Sequence, residues 1–134
     1  MVRGLVIVLL IALVVAGCGV RSSKPYTAKG TAPCLGKKGF TGVTTKPIEV
    51  GFIAGFAENG GLKARSATGN VLTIAFTADS DSVASTEAAV KAHAPKSLRP
   101  HITDIMETNR NAVLVWTITP KSDELDTVQR CLQP

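Results

Sequence analysis

Two histidines, His93 and His101, stand eight residues apart across Pro95 and Pro100, and three cysteines complete the strong metal or redox side chains. A tetrahedral zinc site needs four such ligands, so the histidine pair falls short and reads as surface residues at a helix end and a loop. Asp79-Ser80-Asp81 opens like a calcium loop, but no glycine stands at the sixth position and Val90 occupies the place of the bidentate glutamate. Those acids suit the start of a helix better. Gly30 and Gly36-Lys37-Lys38 resemble a phosphate loop with one residue too many, and Lys38 stands where a hydroxyl would hold magnesium. No serine lies in Gly-x-Ser-x-Gly or Ser-x-x-Lys. Asp104 and Glu107, if on a strand, point to opposite faces and share no acid–base work. The expectation is a non-catalytic protein without metal or cofactor.

The chain has 134 residues, 45% hydrophobic and 19% charged, which fits one small domain rather than a disordered chain. Four Phe, one Trp and one Tyr are too few for a base-stacking platform, and no nucleic-acid partner is expected. Charge is unevenly placed. Seven basic residues and no acid occur up to Lys46, while eight basic and ten acidic residues follow from Glu49.

Arg3 precedes an uncharged run of 17 residues, Gly4 to Val20. As a helix that run rises about 25 Å against a hydrocarbon core of about 30 Å. A basic start, an apolar stretch from Leu5 to Val15 and small residues at its end make a secretory signal. Its end, Val15-Ala16-Gly17-Cys18, resembles the lipobox of bacterial lipoprotein precursors. The resemblance implies cleavage between Gly17 and Cys18 and diacylglycerol on the Cys18 sulfur. Membrane lipid, through the acyl chains on Cys18, is then one partner and an envelope protein a candidate second. The expected location is the extracytoplasmic face of the cell membrane. With Cys18 lipidated, Cys34 and Cys131 remain as a pair that an oxidising compartment would close. An uncleaved membrane anchor with a cytoplasmic domain is the alternative, and a small envelope hydrolase or enzyme inhibitor is a further one.

The domain plan follows: signal peptide over 1–17, lipidated Cys and basic flexible tether over 18–47, small domain over 48–134. Residues 19–47 are rich in Gly, Ser, Thr, Lys and Pro without a hydrophobic period. From Ile48 to Phe56 every even position is apolar, which predicts a half-buried strand, with Gly51 and Gly55 at a bend or a close backbone approach. Strands are expected over Leu62–Ala67, Val71–Ala78 and from Val113, with a candidate hairpin over Ile102–Asn111. Helices are expected from near Asp79 to about His93 and after Pro120. Val71-Leu72, Thr77, Ser80 and Asp81 recur 42 positions later, which superimposes Phe76 on Ile118. The fold expected is α+β: one antiparallel-rich sheet of four to five strands with two helices on one face, as ββαββα or a permuted ferredoxin-like chain. Trp116 is expected in the core. Thr73, Ala75, Thr77, Val115 and Thr117, small and β-branched, mark the other face as a candidate docking patch for an envelope partner.

Overall fold

The computed structural model describes residues 23–134, so Cys18 and the segment read as a signal and lipobox lie outside the described residues. The fold is α+β, with five strands in the order β1-β2-β3-β5-β4, every neighbouring pair antiparallel. They are β1 (Thr41–Thr44), β2 (Gly61–Arg65), β3 (Val71–Phe76), β4 (Met106–Asn109) and β5 (Ala112–Trp116). Three longer helices, α1 (Ala28–Lys37), α4 (Val83–His93) and α6 (Ser122–Cys131), and three single turns, α2 (Pro47–Val50), α3 (Phe52–Gly55) and α5 (Ile102–Ile105), surround the sheet.

Strand alternation divides the sheet into two faces. On one face Leu72, Ile74 and Phe76 stand opposite Trp116, Leu114 and Ala112, with Leu62 and Ala64 beside them. All eight are buried, and Leu35 of α1 and Val128, Cys131 and Leu132 at α6 close over them. Trp116 is therefore core, as expected, though its buried indole N–H has no acceptor among the described residues. Such a gap costs about 1–3 kcal/mol. The other face carries Ala75 and Val113 and is partly roofed by Val50 of α2, Ala54 of α3 and Val83 of α4.

Two helices do cover one face, but α1 and α6 are that pair. Helix α4, expected beside α6, lies on the opposite face. That placement argues against a repeated ββα unit. So does Ile118, which matches Phe76 in the 42-residue alignment yet lies beyond β5 and is exposed.

Two segments depart from expectation. The tether reading fails from Lys24: that segment is bonded to Arg110 and Asn111, and α1 and β1 belong to the domain. Thr27 caps α1 by accepting from the Gly30 N–H at 2.9 Å. Ala28, Thr31 and Leu35 are buried at helical spacing, and Cys34 is bonded to Cys131 with Cα atoms 5.4 Å apart. Gly30 lies against the Pro134 carbonyl, where a Cβ would overlap it. Residues 48–56 form α2 and α3, not a strand. Gly51, at φ 112°, breaks the two turns, and the even apolar positions split by four. Val50 and Ala54 face the sheet, while Ile48, Phe52 and Phe56 face solvent at 92, 84 and 72% exposure. The close approach expected at Gly55 is present, since a Cβ there would sit 2.7 Å from the Pro47 carbonyl oxygen.

Candidate functional site

On the face opposite α1 and α6, the roof is incomplete and leaves a cleft of about 390 Å³. Thr73, Ala75, Val113 and Val115 form its floor. Val50 to Ala54 form one wall, and Val90, Ala94, Leu98 and Ile102 line the other.

Each wall has a local cause. Helix α4 starts where Asp79 accepts from the backbone N–H and the hydroxyl of Ser82, both at 2.9 Å. These bonds, the hydroxyl first, hold the Asp79 carboxyl below its ordinary range. Asp79 thus closes a turn just ahead of α4, whereas Ser82 at the N-cap makes no side-chain capping bond and no acid stands in the first turn, so the helix-start role read for Asp79-Ser80-Asp81 is met only in part. The alanine-rich helix packs through Val83 and is otherwise only partly covered, so the far end of the roof stays open. Beyond it Arg99 donates through Nε to the Ala94 carbonyl at 2.9 Å and folds the 95–101 segment back along the cleft. The opposite wall stands close because Gly61 has no side chain. A Cβ on Gly61 would overlap the Ala54 carbonyl and sit 2.9 Å from the Gly55 nitrogen.

The expected docking patch divides. Thr73, Ala75 and Val115 meet in the cleft floor. Ala75 is only 3% exposed, so it is no open docking residue. Thr77 is also buried, and its hydroxyl proton is shared between the carbonyls of Asp79 and Asn111 at 2.7 and 3.0 Å. Thr117 is exposed but lies past β5, where it donates to Asn70 Oδ1 at 3.0 Å and accepts from the Val71 N–H. Alternation placed these residues on one face but could not tell where α2, α3 and α4 would settle.

The polar side chains at the cleft are the half-buried Thr73 hydroxyl and the exposed imidazole of His93. His101 sits apart in a single 3-10 turn. Asp104 is on α5 and Glu107 on β4, both exposed. Among the described residues no three His, Cys, Asp or Glu side chains group to hold a metal ion. Lys37 and Lys38, read as linker, end α1 in solvent. Such a cleft can desolvate apolar groups and offer one or two hydrogen bonds to orient them. Its walls were missed because Ile48–Phe56 mimics strand alternation. The signal available was Gly51, whose positive φ breaks the segment between α2 and α3, and Gly55, where the chain packs on the Pro47 carbonyl.

Among the described residues no helix is long and apolar enough to cross a membrane. Comparisons with protein-family models, with curated proteins and with solved structures find no match to this chain.

Proposed function

We propose that this chain is a bacterial cell-envelope lipoprotein, anchored through acyl chains on Cys18, whose domain is a non-catalytic binding module for an apolar group of another envelope component. The observation that carries the binding role is the cleft: floored by Thr73, Ala75, Val113 and Val115, walled by aliphatic side chains, with one hydroxyl and one imidazole for orientation. A site of this composition binds by excluding water. The disulfide between Cys34 and Cys131 supports export, because such bonds persist in oxidising compartments.

The test compares two threonines. Thr73→Lys puts an ammonium in the cleft floor, whereas Thr117→Lys changes an exposed residue outside it. Thr73→Lys is expected to abolish capture of the partner from solubilised membranes while Thr117→Lys retains it, both variants melting as folded proteins. Equal capture by folded Thr73→Lys and Thr117→Lys would remove the cleft from the account.

A further inference from the structure

Ile48, Phe52 and Phe56 recur at every fourth position along α2 and α3, and they are among the most exposed large apolar side chains of the described residues. Their exposure is not a packing accident. Val50 and Ala54, on the other side of the same turns, are buried against the sheet, so the turns are held with these three pointing outward. The rings of Phe52 and Phe56 lie with centroids 5.6 Å apart and form an aromatic ridge, with Ile48 exposed on the preceding turn. Lys46 is paired with Glu49 at 3.3 Å next to Ile48 in the chain, and Glu58 stands two residues past Phe56.

The ridge ends where the chain enters the domain. Asn59, three residues past Phe56, donates through Nδ2 to the Thr77 carbonyl at 2.7 Å, and its own carbonyl accepts from the Ala28 N–H at 3.0 Å. Ala78 borders a hollow that Phe56 lines and also a second hollow that Ser23 lines. The entering segment is itself pinned there. Arg110 donates to the Lys24 carbonyl at 2.6 Å and stacks over Tyr26 at 4.2 Å, and Asn111 bonds both the N–H and the carbonyl of Tyr26.

Since the domain begins at this pinned segment and not at residue 48, little chain is left as tether. From Cys18 to Ser23 there are five peptide steps, which span at most about 18 Å. A lipid on Cys18 therefore holds this end of the domain within that distance of the bilayer. We propose that Ile48, Phe52 and Phe56 insert into the lipid surface to which Cys18 is tied, so that the domain lies on the membrane in a fixed orientation. This rests on the lipid anchor proposed above. Two acyl chains on Cys18 already anchor stably, so the apolar ridge sets the domain's orientation on the surface rather than its retention there.

The test uses the full-length chain, with the lipid mass on Cys18 verified by mass spectrometry, in vesicles of zwitterionic phosphatidylcholine brominated on the acyl chains. Phe52→Trp, Phe56→Trp and Thr117→Trp each add one indole to the buried Trp116. Phe52→Trp and Phe56→Trp are expected to lose emission relative to vesicles without bromine, and Thr117→Trp, at the far end of β5, to keep it. Unquenched emission from a lipidated Phe52→Trp and Phe56→Trp would overturn the proposal while leaving the anchor intact. Emission that depends on protein-to-lipid ratio instead of bromine would assign the ridge to a second copy and equally overturn it. A chain without the lipid mass would overturn the anchor and, with it, this orientation.

Discussion

Replacing Cys34 and Cys131 with alanine opens a loop of 97 residues, almost the whole domain. The chain-entropy model gives the closed loop about 4.7 kcal/mol at 25 °C, on the order of half the total stability of a domain this size. Contacts near the bridge keep the unbridged protein from falling apart at once. The Thr27 N–H donates to the Gln133 carbonyl at 2.8 Å, the Gln133 N–H to the Thr31 hydroxyl at 3.1 Å, and Asn111 holds Tyr26. The double alanine variant is therefore expected to fold at 25 °C but to lose about 3–5 kcal/mol. Reduction of the unaltered protein should have the same effect. Trp116, the single tryptophan, is buried, so its fluorescence reports the transition directly. Guanidinium unfolding of the detergent-solubilised full chain, with and without reductant, is the assay. In the reduced form the amides of α1 should exchange faster than those of β3 and β5, since α1 is then held by its own packing. A midpoint that does not move on reduction, or a loss below about 1 kcal/mol, would refute the account of α1 as a helix tied in by its bridge.

Other outcomes follow from the same contacts. Gly61→Ala places a methyl on the Ala54 backbone, and is expected to cost about 1–3 kcal/mol by thermal melting and to weaken capture at the cleft, whose wall it displaces. Gly36→Ala, with open space around its Cβ in α1, should stabilise by about 0.5–1 kcal/mol in the same assay. Burial pushes the Glu124 carboxyl up, but the polar groups around it, among them the Thr68 hydroxyl and the Lys121 N–H that donate to it, outweigh that, and the folded carboxyl lies below the ordinary 4.5. A carboxyl lowered by folding stabilises above its unfolded value and loses that contribution as pH falls through the folded one. Melting temperature should thus drop as pH falls below 4.5, and Glu124→Gln should flatten the drop.

The sheet was legible where its residues alternate between water and core. Leu72, Ile74 and Phe76, with Leu114 and Trp116, alternate in this way and are buried on one face of β3 and β5. Helix α6 was legible from Pro120, and Val128 within it is buried under the sheet. Helix α1 was hidden because its buried stripe, Ala28, Thr31 and Leu35, includes a threonine and its interior holds Gly30, Pro33 and Gly36. Each lowers helix propensity, and each is tolerated through tertiary contact or exposure. Gly30 fits under Pro134, Pro33 faces solvent, and the neighbouring Cys34 is bonded to α6. The Ile48–Phe56 segment misled for a different reason. A period of two and a period of four coincide on even positions, and only the exposure of Phe52 beside the burial of Ala54 separates them. Both errors bear on the cleft, because its wall is α2 and α3, and on the tether, because α1 shortens it.

The most direct test of the account is the intact mass of the full-length protein extracted from membranes, taken before and after reduction beside a Cys18→Ser variant. The account predicts loss of residues 1–17, a diacylglycerol increment that Cys18→Ser abolishes, and a gain of two protons on reduction from the Cys34–Cys131 bond. A full-length, unmodified and already reduced chain would contradict it and return the domain to the cytoplasm.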